Sequence, residues 1–346
     1  MAVKANSSTS SFRVILDTYK KLILFISLFM AICFFVGLAM LSAYRNPARL
    51  ATPSDKYPIS EIVVIGSSQA QYAYNPLVLE SYSGMRAVNL GAKGAQPDSA
   101  YYLLLDSLSF NTPQVVILDV YWRTLEGNLD FSQLRRTWES IVDEKVRKTM
   151  YKESFPVKSK IDYAIPVLRY RQELYASMEE FASFMVGRGI PSDDDELQDT
   201  AGVEKTDYRG HRHASKTVST RVLTEENKLR FARSRDFGTR QLDYLKNIMD
   251  LCREKGITVY AVSAPLPPES LAFVKDYRNI HDRLMKFFTA MDVEYLDFNM
   301  ENAEGGIVDG RYFMDENHMN GEGADIFTRQ LAGRLFPVKL PSATSD

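Results

Sequence analysis

The sequence predicts an α/β protein: a doubly wound, parallel five-stranded sheet with an apolar helix ahead of it and a helical insertion inside it. Three observations carry that expectation. They are a charge-free apolar run near the N-terminus, five short apolar runs rich in β-branched or aromatic residues and separated by helical patterns, and a polar stretch that breaks their rhythm. Composition removes other classes. The chain has 346 residues, 42 Lys plus Arg against 44 Asp plus Glu, and two Cys. A net charge of −2 gives no electrostatic case for nucleic acid as a partner. Cys33 and Cys252 are too few for a disulfide framework, and neither has zinc-site spacing.

The apolar run is LILFISLFMAICFFVGLAMLSAY, Leu22 to Tyr44. As a helix it spans roughly 34 Å at about 1.5 Å per residue, enough for a hydrocarbon core of about 30 Å. A buried core helix would show a polar face, and a signal peptide usually has only about 7–15 apolar residues. Ala39 and Ala43 leave cleavage open. Lys4, Arg13, Lys20 and Lys21 precede the run, opposed by Asp17, whereas Arg45, Arg49 and Lys56 follow it. That bias predicts a cytoplasmic tail at 1–21, a transmembrane helix at 22–44 and an extracytoplasmic part at 45–346.

Five runs read as strands: Glu61–Ile65, Arg86–Leu90, Gln114–Val120, Ile257–Ser263 and Val293–Phe298. Unbroken VVI and VVIL suit strands covered on both faces, as in a parallel sheet. Helices are expected after Asn75-Pro76, from an Asp98 cap, from Thr224 to Lys255 with Gly256 as its stop, after Pro267-Pro268, and from about Gly323 to Leu335. An insertion at about 124–223 carries helical patterns at Trp138–Met150 and Tyr163–Met185, an acidic loop at Ser192–Asp199 and the polar stretch TDYRGHRHASKT. It is expected to cover or flank the site.

Ligands in open parallel sheets bind beyond the carboxyl ends of strands. Three such ends hold chemistry. After the first strand, Gly66-Ser67-Ser68 puts a hydroxyl at a helix start, as a nucleophile or as a simple cap. After the second, Asn89-Leu90-Gly91 offers a backbone N–H to an oxyanion, or is only a turn. Before the last helix, Asp315 stands three residues ahead of His318, so its carboxylate can hold Nδ1–H and leave Nε2 as a base. The order Ser…Asp…His is one known solution to acyl transfer. The His211-x-His213 pair lacks a third ligand, so no metal and no cofactor is expected. His281 lies in a helical pattern and reads as structural or surface.

These residues resemble the SGNH/GDSL hydrolase superfamily. IVVIGSSQAQYAYNP is similar to its first block, with Ser67 in place of the usual Asp and Ser68 at the nucleophile position. NLGAKG resembles the second block, whose glycine is here Gly91, and FMDENHMNGEGADIF the last, with Asp315 and His318. The third block departs: ILDVYWRT holds no Asn, leaving Trp122 or Arg123 as a substitute donor. The single apolar helix, GSS and D-x-x-H-x-N-x-x-G are similar to a membrane-anchored branch that includes the D-alanyl-lipoteichoic acid transfer protein and alginate O-acetylation proteins. The resemblance covers about 58–123 and 255–336. It implies a flavodoxin-like, SGNH-type sheet, with Ser68, Asp315 and His318 catalytic and the Ser68 and Gly91 N–H groups in the oxyanion hole. It further implies a serine esterase or O-acyltransferase on acyl groups of an envelope polysaccharide or teichoic-acid-like polymer. Such a protein sits in the bacterial inner membrane beside a membrane-bound O-acyltransferase. The alternative is a catalytically inactive glycan-binding or docking module of an envelope acylation or export complex.

Overall fold

The computed structural model describes residues 8–43, 56–126, 131–171, 175, 178, 209–214, 224–233, 236–303 and 308–337. The chain forms two compact units, residues 1–46 with 155–191, and residues 47–154 with 192–346.

The first unit begins with α1 (Ser8–Ala43), 36 residues long. Its stretch Val14–Met40 is long and apolar enough to cross a membrane. The helix therefore extends the apolar run backward over Lys20, Lys21 and Asp17, with Lys21 and Asp17 paired at 2.9 Å one turn apart.

The second unit follows with β1 (Ile62–Ile65), α2 (Ser68–Ala73), α3 (Pro76–Ser83), β2 (Ala87–Asn89), α4 (Pro97–Ser107) and β3 (Val115–Asp119). Next come α5 (Phe131–Ser140) and α6 (Glu144–Ser154), then α7 (Val157–Ala164) and α8 (Pro166–Arg169), which belong with α1 in the first unit. The second unit resumes with α9 (Glu225–Ala232), α10 (Thr239–Glu254), β4 (Thr258–Ser263), α11 (Pro268–Leu271), α12 (Tyr277–Ala290), β5 (Glu294–Asp297), α13 (Phe298–Ala303) and α14 (Gly321–Leu335).

All five expected strands are present, in the order β2-β1-β3-β4-β5 and parallel throughout. Ile62 lies between Ala87 and Val115 in the register. Side chains alternate across the sheet. Val63, Ile65, Val116 and Leu118 face a core with Leu104, Leu245, Ile248 and Leu284. Ile62, Val64, Val115 and Ile117 face the other, with Leu79, Phe298, Phe327 and Leu331. Both faces are covered by helices, which is why the strands read as continuous apolar runs. The chain leaves β1 for β2 on one side and later returns to β3 on the other. The carboxyl end of β1 is therefore the topological switch point, where a ligand crevice forms.

Several helix expectations change. Asp98 does not cap: α4 starts at Pro97 and the Asp98 carboxylate accepts from the Ser99 N–H at 2.7 Å inside the first turn. Thr224 caps α9 through the Asn227 N–H, but the helix stops at Ala232. The chain then crosses to Leu125, whose carbonyl accepts from the Gly238 N–H at 2.8 Å, before α10 begins. Trp138–Met150 is split because buried Asp106 takes the N–H groups of Val142 and Asp143, at 2.9 and 2.7 Å. Tyr163–Met185 breaks at Ile165, whose extended backbone is what a following proline imposes. Its later part, and the acidic loop Ser192–Asp199, lie outside the described residues.

Candidate active site

The turn after β1 is dictated by crowding. Gly66 has φ +153°, and a Cβ there would stand 2.7 Å from the Asp119 Cβ and 3.0 Å from the Ala70 Cβ. Only glycine fits between the end of β3 and the start of α2. The two serines then divide the labour. Ser67 is buried and caps α2, its Oγ accepting from the Gln69 N–H at 3.2 Å. Ser68 is the first residue of α2 and half-buried, with its hydroxyl turned to the base.

The base arrives on a closed loop. Phe313 and Met319 form an antiparallel bridge, and the Met314 N–H donates to the His318 carbonyl at 2.9 Å. Inside this loop Asp315 Oδ1 accepts from the N–H groups of Asn317 and His318, at 2.8 and 2.7 Å. Asp315 Oδ2 meets His318 Nδ1 at 2.7 Å, and His318 Nε2 meets Ser68 Oγ at 2.8 Å. Other elements pin the loop from outside. Gln69 Nε2 donates to the Asn317 carbonyl and Ser270 Oγ to the Glu316 carbonyl, both at 2.6 Å. Arg230 pairs with the Glu316 carboxylate at 2.6 Å. The Tyr72 ring, one turn beyond Ser68, lies 5.0 Å from the His318 ring.

Burial pushes the Asp315 carboxyl up, but the His318 ring and the two loop N–H groups outweigh it and hold the carboxyl below its ordinary range. An ionised carboxylate facing Nδ1 requires the proton there, so Nε2 presents its lone pair to the Ser68 hydroxyl. The three side chains singled out from sequence thus form one hydrogen-bonded chain.

The second strand end behaves differently. The Gly91 N–H, expected to face an oxyanion, donates to Asn89 Oδ1 at 2.9 Å. Asn89 also sends its Nδ2 to the carbonyls of Ala70 and Tyr74, at 2.7 and 2.9 Å. It is a strut from β2 to the middle of α2 and to its C-cap. The Ser68 N–H, at the start of a helix, has no intrahelical acceptor. Trp122 is packed in the core against the Tyr277 ring at 5.2 Å. Arg123 Nη1 donates to the Arg230 carbonyl at 2.6 Å. Neither side chain stands in for the missing third-block Asn.

Two features escaped the sequence. Asp119, at the end of β3 beside Gly66, is buried and accepts from the Tyr74 hydroxyl at 2.9 Å, and burial pushes its carboxyl up to about 7. The insertion also returns an arm, residues 209–214, to the sheet edge. The Asn89 N–H donates to the Arg209 carbonyl, the Arg212 N–H to the Gln71 carbonyl, and the Gly321 N–H to the Ala214 carbonyl. The arm thus grips α2 three residues after Ser68 and α14 three residues after His318. Beside it lies a cavity of about 920 Å³ lined by Lys56, Gln71, Arg86, Asn89, Gly91 and Arg209, among others. His211 and His213 stand with ring centroids 6.2 Å apart. Among the described residues no group of three His, Cys, Asp or Glu side chains is placed to hold a metal.

No family model and no curated protein matches this sequence. Solved structures do resemble it. A GDSL-like lipase from Bacteroides thetaiotaomicron VPI-5482 shares 11% identity over 82% of this chain and 91% of its own, with a TM-score of 0.35. A G-D-S-L family lipolytic protein from Desulfitobacterium hafniense DCB-2 shares 12% over 78% and 97%, with a TM-score of 0.37. An acylhydrolase-class protein from Bacteroides fragilis NCTC 9343 shares 11% over 85% and 98%, with a TM-score of 0.37. The overlap is loose, so the fold rests on the strand order above and the chemistry on the site's own geometry.

Proposed function

We propose that the chain is a membrane-anchored serine esterase or O-acyltransferase acting on acyl groups of a cell-envelope glycan. The observation that carries this reading is the unbroken chain Ser68 Oγ–His318 Nε2, His318 Nδ1–Asp315 Oδ2, at 2.8 and 2.7 Å. Ser68 Oγ attacks the ester carbonyl as its proton passes to His318 Nε2, and Asp315 stabilises the imidazolium. The Ser68 N–H receives the oxyanion, joined by the Gly91 N–H once it is shared with or released from Asn89. Collapse expels the alcohol, which takes the proton from His318 and leaves an acyl-serine. A second hydroxyl then attacks as His318 takes its proton, and collapse breaks the acyl–serine bond as His318 returns that proton to Ser68 Oγ. Water gives hydrolysis, and a sugar hydroxyl gives transfer.

In this reading residues 45–346 work outside the bacterial inner membrane, held by α1, and a membrane-bound O-acyltransferase is the partner. The cavity beside α2 is large enough for sugar units; of its basic lining residues Lys56 is paired with Asp106 and Arg209 with Glu80, so the lining itself is polar more than cationic. The test is a fluorophosphonate probe and a small acetyl ester on the detergent-solubilised chain. Labelling and turnover that both vanish in Ser68→Ala are the expected result. Equal turnover in that variant would remove Ser68 as nucleophile.

One observation favours a second reading, a non-catalytic glycan-binding or docking module. The Gly91 N–H is engaged by Asn89, and no third donor replaces the missing Asn. Acidic-glycan binding without labelling or turnover would put that reading first.

A further inference from the structure

Within the first unit, α1 is exposed nearly all round. Phe34, Phe35, Val36 and Leu38 are 62, 67, 38 and 48% exposed. Gly37 and Met40 are buried and Cys33 half-buried. These three stand at i, i+4 and i+7 and so form one stripe. The cover is α8: a Cβ on Gly37 would lie 3.4 Å from the Pro166 Cβ and 3.8 Å from the Val167 Cγ2. Gly37 is seven residues from Tyr44, where the charge-free apolar run ends, or about 10 Å at about 1.5 Å per residue. Whatever packs on Gly37 therefore sits in the outer part of the spanning stretch.

The segment that packs there is two-faced. Phe155, Tyr163 and Tyr170 are buried, with the Phe155 and Tyr163 rings edge-on at 4.5 Å. Val157, Ile161 and Ile165, each four residues from the last, are 78, 61 and 44% exposed. Four-residue spacing puts Val157 and Ile161 on one side of α7, and Ile165 follows directly at its C-terminal cap. Arg169 is turned back to the Tyr163 carbonyl at 2.7 Å, and Arg171 to Asp162 at 3.1 Å, so local polar groups are satisfied away from that stripe. An aliphatic stripe beside a spanning helix, in the outer part of its apolar run, continues the helix's own lipid-facing surface.

We infer that α7 and α8 are an interfacial element, which lays Val157, Ile161 and Ile165 into the boundary between headgroups and acyl chains of the membrane that α1 crosses. Amphipathic helices of this kind bury an apolar face about 5–10 Å into that boundary. The protein then holds the membrane twice, once by a span and once by a surface helix contributed from the insertion. This inference rests on the spanning role of α1 and is independent of the esterase chemistry.

The experiment uses the full chain in lipid nanodiscs with no other protein. In a Cys33→Ser background, single labels are placed by Ile161→Cys, Val157→Cys and, as a depth reference, Phe29→Cys. Cys252 stays unlabelled, because it is buried in the core and burial pushes its thiol up to about 12. The labels at 157 and 161 should emit to the blue and be quenched severalfold more by lipids spin-labelled near the headgroup than by aqueous iodide. The label at 29 should be quenched best by lipids spin-labelled deep in the chain. Deep quenching at 29 with iodide access at 157 and 161 would overturn the inference and leave the span intact. It would also mean that the stripe is kept for a protein partner. Lipid quenching at none of the three would take down the span itself and this inference with it.

Discussion

Two histidine–carboxylate pairs in the second unit are nearly identical as contacts and differ in what surrounds them. His318 Nδ1 meets Asp315 at 2.7 Å, and His281 Nδ1 meets Asp297 at 2.8 Å. Both rings are 19% exposed. The carboxylates differ. Asp297 is 1% exposed and also accepts from the hydroxyls of Tyr277 and Tyr295 and from the Asn299 N–H. It is the hub of a core brace joining β5 to α12. Asp315 is 33% exposed, and its other bonds go to its own loop. The rings differ too, since His318 presents Nε2 to a serine at a helix start whereas His281 rides mid-helix on α12. A short imidazole–carboxylate contact thus defines no site by itself. The group on the far nitrogen does.

The largest effect that can break this comparison is on turnover. Ser68→Ala and His318→Ala should each lower ester kcat by about 10⁴–10⁶-fold, and together no further, because triad members act as a unit. His281→Ala should leave kcat within about twofold, since nothing it touches reacts. A collapse of turnover in properly folded His281→Ala would erase the distinction.

Stability should rank the carboxylates the other way. Asp297→Ala strands buried hydroxyl and imidazole donors and should cost about 3 kcal/mol in urea unfolding. Asp315→Ala should cost about 1 kcal/mol while lowering kcat, though by less than Ser68→Ala does. Equal unfolding costs would mean that the two carboxylates brace the fold alike.

A third histidine supplies a pH test. His211 is held neutral by burial, which pushes its imidazole down to about 4, against a weaker pull from the Gln71 carbonyl. The unfolded chain protonates it near pH 6.5 and the folded chain only near 4, so between these values the unfolded state binds more protons. The stability due to neutral His211 is present above pH about 6.5 and is lost as the pH falls through that window, by at most about 1.4 kcal/mol per pH unit. His211→Asn should flatten the slope of urea midpoint against pH between 4 and 6.5. An unchanged slope would place the titration elsewhere.

The smallest effect concerns how His318 is held. Gln69→Leu removes the donor to the Asn317 carbonyl and should cost about 1 kcal/mol and severalfold in kcat, with KM little moved. An equal loss in KM would mean that Gln69 touches substrate instead.

All five strands were legible because each lies in a short run rich in β-branched or aromatic residues, and β1, β2 and β3 are buried throughout. Ser68 was legible because it follows a glycine at a strand end, and Asp315 and His318 because they stand three residues apart just ahead of the last helix. The oxyanion donor was not. Whether the Gly91 N–H faces solvent depends on Asn89, whose side chain reads in sequence as an ordinary strand residue and acts through carbonyls 15 and 19 positions away. The split of Trp138–Met150 was invisible for the same reason, since its cause is the Asp106 carboxylate on α4. Ser67 and Ser68 were separable only in part. A cap and a nucleophile are the same residue type one position apart, and the φ/ψ of the turn decides which is which.

One consequence follows from the hydrogen bond between Ser68 and His318, whose partners stand 250 positions apart in the chain. Closing so distant a contact waits on the folding of what lies between. In the proposed mechanism Ser68 is an unactivated alcohol until the His318 loop is seated against α2, so activation of the serine is tied to the folding of everything between them.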